Sequence, residues 1–141
     1  MAMVKHSIFD QMEYGSLGQK FDFEAVLEQI KWNQDGLIPA ITQDQTSKDV
    51  LMMAWLNREA LIETLQTKQV CYWSRSRKCL WRKGEGSGHR QYLTDARLDC
   101  DGDCLLFLVN QIGPACHTLR PTCFYLGLNT DQVSILTQPV I

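Results

Sequence analysis

Leu37-Ile38-Pro39-Ala40-Ile41-Thr42-Gln43-Asp44-Gln45-Thr46-Ser47-Lys48-Asp49-Val50-Leu51-Met52-Met53-Ala54-Trp55-Leu56 is the stretch on which the fold turns. Two apolar runs, Leu37 to Thr42 and Val50 to Leu56, flank the polar run Gln43 to Asp49, the composition of two strands joined by a hairpin loop. Upstream, Phe23, Val26, Leu27 and Ile30 recur at spacings of three and four, which predicts a helix over Phe21 to Trp32 with Gly36 beyond its end. Downstream, Asn57 is placed to cap a second helix, Arg58 to Gln66, with Ala60, Leu61 and Leu65 on its inner face. Further strands are expected at Val70 to Ser74, Gln91 to Cys100, Cys104 to Gln111 and Cys123 to Leu128, with a Gly-rich loop at Lys83 to Gly88. Strands and helices do not alternate regularly, so the expected class is α+β: a largely antiparallel sheet with two helices. Residues 1–20 have mixed composition and are expected to form a loose N-terminal arm. Residues 21–141 show no repeat, low-complexity run or linker and are expected to form one domain.

The chain has 141 residues, 45% of them hydrophobic and 21% charged, enough apolar content for a real core. A net charge of −2 gives no bulk basic field, which argues against nucleic acid as a partner. The N-terminus lacks the apolar segment of a secretory signal, and no apolar run approaches the ~18 residues that would span a bilayer. A soluble, cytoplasmic protein is expected. The six cysteines are then unlikely disulfide partners, and their chemistry points elsewhere.

Asp99-Cys100-Asp101-Gly102-Asp103 concentrates that chemistry. On an extended strand, alternate side chains share a face, so Asp99, Asp101 and Asp103 would lie together with Cys100 opposite. Three carboxylates suit a hard, oxygen-seeking cation such as Mg²⁺. The outer two would stand ~13 Å apart on an ideal strand, too far for one ion. Either the chain bends, as Gly102 permits, or only two of the three bind. Cys100, Cys116 and Cys123 are soft donors that would suit Zn²⁺ and leave a fourth tetrahedral position for water. His117 adjoins one of them and is a candidate base. Cys71, Cys79 and Cys104 read as ordinary buried small residues.

Tyr72 to His89 carries five cations interleaved with tryptophan, serine and glycine. Trp73, Ser74, Arg75, Ser76, Arg77, Lys78, Arg82 and Lys83 are candidate contacts for a phosphorylated, nucleotide-like ligand. Trp81 is a second indole able to stack on a base. The Gly-x-x-x-x-Gly-Lys-Ser/Thr phosphate loop is absent. The plain alternative is a solvated basic hairpin.

Taken together, Tyr72 to Gly88 (YWSRSRKCLWRKGEGSG), Asp99 to Asp103 (DCDGD) and Ala115 to Tyr125 (ACHTLRPTCFY) resemble the phosphoribosyl-AMP cyclohydrolase family of histidine biosynthesis. The weaker run LIPAITQD, Leu37 to Asp44, resembles the family's first hairpin, so the resemblance covers most of the chain. It implies hydrolytic opening of the N1–C6 bond of the adenine ring of 1-(5-phosphoribosyl)-AMP by zinc-activated water, with a Mg²⁺ site nearby. It also implies an intertwined homodimer with active sites at the interface. Mg²⁺ would bind Asp99, Asp101 and Asp103; Zn²⁺ would bind Cys100 of one chain with Cys116 and Cys123 of the other. His117 or His89 would act as base. The chain would be the stand-alone form, without a fused pyrophosphatase. Gly86, Leu119, Pro121 and Thr122 depart from the family pattern; the loss of glycine at 119 bears on the loop between the two later cysteines.

A zinc nucleobase deaminase would need His-x-Glu and Pro-Cys-x-x-Cys. His89 is followed by Arg90 and Gln91, and Leu119 stands three residues after Cys116, so both halves fail. A non-catalytic, zinc-bridged dimeric nucleotide-binding module is the competing class. It accounts for the thiols but gives no reason for the carboxylates and histidines beside them.

Overall fold

The computed structural model describes residues 7–140. The decisive stretch folds as expected: β1 (Ile38–Asp44) pairs antiparallel with β2 (Val50–Leu56), Ile38 opposite Leu56 and Thr42 opposite Met52. The remaining sheet strands are β3 (Cys71–Ser74), β4 (Cys79–Arg82), β5 (Gln91–Leu98) and β6 (Leu105–Gln111). Their order is β4-β3-β2-β1-β6-β5, and only the β1–β6 pairing is parallel. The sheet curls until its β5 edge meets the segment entering β3. There Leu93 N–H donates to Lys68 O at 2.8 Å, and Val70 N–H to Gln91 O at 3.0 Å.

Among the described residues three helices accompany the sheet, not two. Phe23–Gln29 is α2, shorter than the predicted Phe21–Trp32, and Arg58–Thr67 is α3. Asn57 caps α3 as expected, its side-chain oxygen accepting from Ala60 N–H at 2.9 Å. The unexpected helix is α1 (Ile8–Met12), inside the region read as a loose arm. Ser7 and Asp10 form a reciprocal capping box, and Ile8 and Phe9 are buried in the main core. Five residues hold too few apolar positions to show a helical period, so the sequence pattern gave no signal. The part of the arm at 1–6 lies outside the described residues.

Two other differences have local causes. The basic run expected as a ligand loop is the β3–β4 hairpin, turning at Ser74–Lys78 with Lys78 at φ 52°. Of the strand predicted at Cys123 to Leu128, only β7 (Leu126–Leu128) forms, paired with β8 (Val133–Ile135) in a separate two-stranded sheet. Of the three cysteines read as buried fillers, Cys71 is buried, Cys104 is half-buried and Cys79 is exposed at the start of β4. No helix among the described residues is long and apolar enough to cross a membrane.

The core inside the curl contains Leu27, Ile38, Leu56, Leu61, Phe107 and Val109. One polar chain crosses it. Tyr72 OH donates to Gln91 Oε1 at 2.6 Å and lies 2.7 Å from Thr42 Oγ1, all three residues being fully buried. Burial pushes the Tyr72 phenol well above its ordinary range, so it stays neutral. Replacing it strands two partners at once. Tyr72→Phe is expected to cost about 1–3 kcal/mol, read as a lower urea midpoint with unchanged slope.

Candidate functional site

The cavity that collects the most chemistry, ≈ 460 Å³, lies where β4 and its following loop face the segment after β6. Lys83, His89, Cys116, His117 and Leu119 line it, with Trp81 at one side. His89 is fixed by its surroundings. Gln91 Nε2 donates to Gln111 Oε1 at 2.9 Å, and Gln111 Nε2 reaches His89 O at 3.4 Å, linking the buried Tyr72 to this residue. Its ring packs so closely on Gly113 (φ 71°) that a Cβ there would stand 2.6 Å from Cδ2. His117 is exposed, with Nδ1 4.0 Å from Cys116 Sγ.

Cys116 is buried yet poised to ionise. Burial opposes the charge, but the Thr118 hydroxyl donating to Sγ at 3.0 Å, the Thr118 N–H, the Cys123 thiol and the Lys83 ammonium together hold its thiol below the ordinary value. Cys123 goes the other way. Burial and the adjacent Cys116 charge push its thiol up to about 11. Two thiols facing each other with a cation beside them are suited to a soft divalent metal, which would take both as thiolates.

Lys83, expected as a phosphate contact, is half-buried and donates to Ala115 O at 2.6 Å, next to Cys116. Its ammonium lies 5.3 Å from the centre of the Trp81 ring, and burial lowers its pKa. Arg82 is occupied as well: its guanidinium grips Glu63 through two bonds of 2.9 and 2.7 Å. Arg77 opens onto the same cavity. Trp73, Ser74, Arg75 and Ser76 line a neighbouring surface cavity with Trp55, and Arg75 stacks 5.1 Å above the Trp55 ring. Trp81 borders both cavities, so indole surface lies between Arg75 on one side and Arg77, Arg82 and Lys83 on the other. Lys78 sits exposed at the hairpin turn.

The loop between the cysteines explains one departure noted above. Leu119 has φ 66°, the left-handed region in which a side chain is strained and glycine is not. Leu119→Gly is expected to be neutral to stabilising, by up to about 1 kcal/mol, visible as a thermal midpoint at or above the parent's.

Asp99, Cys100, Asp101 and Asp103 lie elsewhere, in the turn between β5 and β6. The turn is bent, not extended. Gly102 has φ 71°, and Asp103 N–H donates to Asp99 Oδ1 at 3.0 Å. The Asp99 carboxyl bonds to Asp103 and so raises that residue's pKa, while backbone N–H groups at 103 and 101 hold Asp99 down against the opposing effect of burial. Two carboxylates crowded in one turn form an oxygen donor pair that a hard cation would relieve. Among the described residues of one chain, no three His, Cys, Asp or Glu side chains converge on a single metal position. Cys100 is exposed in this turn before β6, whereas Cys116 lies in the loop after β6, and the two line different cavities.

Similarity to known proteins agrees with the motifs. The family model for phosphoribosyl-AMP cyclohydrolase matches residues 52–125. A phosphoribosyl-AMP cyclohydrolase of Hydrogenovibrio crunogenus is 56% identical over 139 residues, 99% of this chain and 95% of its own. The phosphoribosyl-AMP cyclohydrolase 2 of Pseudomonas fluorescens is 57% identical over 129 residues, 92% and 88% of the two chains. A phosphoribosyl-AMP cyclohydrolase of Alkalilimnicola ehrlichii is 54% identical over 134 residues, 95% and 94%. With more than half its residues shared with these proteins over nearly its whole length, and the family model spanning the hairpin, the aspartate turn and both later cysteines, the chain belongs to the phosphoribosyl-AMP cyclohydrolase family of enzymes.

Proposed function

We propose that this chain opens the adenine ring of 1-(5-phosphoribosyl)-AMP by hydrolysing its N1–C6 bond, in histidine biosynthesis, as a homodimer with zinc and magnesium sites. The observation that carries the reading is the cavity in which Cys116, hydrogen-bonded to the free thiol of Cys123, meets Lys83 and both candidate bases, His89 and His117.

In this reading Cys116 and Cys123 hold zinc together with Cys100 of a second chain, because among the described residues of one chain no three such side chains converge on one metal position. Bound zinc would supply a Lewis acid that lowers a water's pKa to near 7. Lys83 offsets part of the charge of the thiolates. Asp99 and Asp103, with Asp101 beside them, hold Mg²⁺, which usually keeps several waters. His117 or His89 takes the proton as the water oxygen bonds to C6. The N1–C6 bond then breaks with its electron pair going to N1, and the exocyclic amine stays on C6 as a carboxamide. Substrate carries a phosphate on each ribose, one at either side of the ring. Arg77 in one cavity, and Arg75, Ser74 and Ser76 in the other, are the phosphate contacts, with Trp73 and Trp81 against the base.

The apolar surface supports a second copy. Ile41 and Met53 are exposed on the outer face of paired strands β1 and β2, and Leu126, Leu128, Val133 and Ile135 are exposed on the β7–β8 hairpin. A two-stranded hairpin is marginal by itself, and contiguous exposed apolar surface marks an interface. Six free thiols suit the reducing cytoplasm.

The test is an absorbance assay of ring opening with purified protein and phosphoribosyl-AMP, with and without Zn²⁺ and Mg²⁺. Metal-dependent turnover is expected; no turnover from a metal-replete dimer overturns the reading.

A further inference from the structure

We infer that Phe9 of α1 is a positioning residue for the carboxylate turn: its ring, seated on Gly102, holds Asp99 and Asp103 in cation-binding shape. The inference rests on the proposed magnesium role of that turn.

The turn is closed at its neck, where Asp99 N–H donates to Cys104 O at 2.9 Å. Gly102 N–H donates to Asp99 O at 3.1 Å, and Asp103 N–H to the Asp99 carboxylate at 3.0 Å. Against these bonds works the repulsion between carboxylates crowded into one turn. Further restraint comes from outside. On one side Lys31 N–H donates to Gly102 O at 2.9 Å. On the other the Phe9 ring abuts Gly102 so closely that a Cβ there would run into Cζ and Cε2 and stand 2.7 Å from Cε1. Only glycine fits, for this contact and for the positive φ. Phe9 is itself fixed: it is 7% exposed, its helix is capped by Ser7, and Ile8 N–H donates to Gln29 Oε1 of α2 at 2.7 Å. A rigid aromatic peg thus joins the N-terminal helix to the turn. Its ring also lines the ≈ 560 Å³ cavity onto which Asp99 and Asp101 face.

The experiment measures Mn²⁺ binding, by calorimetry and by the spin-resonance signal of free ion, in zinc-loaded full-length protein. Phe9→Ala is expected to weaken Mn²⁺ binding by about tenfold or more, the usual loss when a residue supporting metal ligands is removed. Zinc content should be unchanged and unfolding should stay cooperative at a lowered midpoint, since a core ring is lost, and Phe9→Leu should largely restore Mn²⁺ affinity. Gly102→Ala, which drives the ring off the turn, should weaken Mn²⁺ binding strongly in the parent and less in the Phe9→Ala background. Parent-like Mn²⁺ affinity in Phe9→Ala overturns the inference. Should Phe9→Ala not fold, Gly102→Ala decides alone, and parent-like affinity there overturns it too. Asp99→Asn separates the two readings. If the parent binds Mn²⁺ no better than Asp99→Asn, the magnesium role itself fails and this inference with it. If Asp99→Asn abolishes binding that Phe9→Ala retains, only the role of Phe9 fails.

Discussion

Cys116→Ala is expected to remove zinc from the protein and to lower ring-opening activity by at least about a thousandfold, because without the ion nothing lowers the pKa of the attacking water. Cys116 is the thiol most ready to ionise of the proposed pair, since the Thr118 hydroxyl, the Cys123 thiol and the Lys83 ammonium all favour its thiolate against burial. Cys123 left alone is a half-buried single thiol, a poor zinc site by itself. The check is zinc per chain by elemental analysis after exhaustive dialysis, alongside turnover. Folding should survive, because Cys116 lies in a loop outside the main core cluster. Zinc content unchanged in Cys116→Ala would mean that the ligand set is wrong.

The second large effect is a gain. Cys100→Ala and Cys116→Ala are each expected to be inactive, yet refolding the two together should recover about a quarter of parental activity in a two-fold symmetric dimer. Random pairing makes half of the dimers mixed. In a mixed dimer one site carries both lesions, while the other takes Cys100 from one chain and Cys116 and Cys123 from its partner, all intact. A site built within a single chain would stay broken in every dimer. The fold of one chain favours the shared site: Cys100 precedes β6 and Cys116 follows it, and the two line different cavities. Turnover staying at background in the mixture would refute the shared site.

Much of this molecule was legible without coordinates. The β1–β2 hairpin, α3 with its Asn57 cap and the strand pair flanking the aspartates follow from local rules, since apolar alternation and capping act over a few residues. The motifs resembling the family are local too, and the comparisons place the chain in that family. Lys83 and Arg82 were less legible. Both belong to a run of cations, and only packing sets Lys83 on the Ala115 carbonyl and Arg82 on Glu63.

The sequence by itself determined the α+β class, the family and the candidate chemical groups, because patterning and motif residues are properties of neighbours along the chain. Tertiary structure alone decided which of those groups meet. It bent the aspartate turn that an extended strand would have kept straight, set Cys116 against Cys123 and Lys83, and held Cys100 apart. It also turned the supposed arm into a helix whose Phe9 rests on Gly102. The physical reason is the same in each case: these contacts join residues distant in sequence, and what brings them together is burial of a shared core, which no local pattern records.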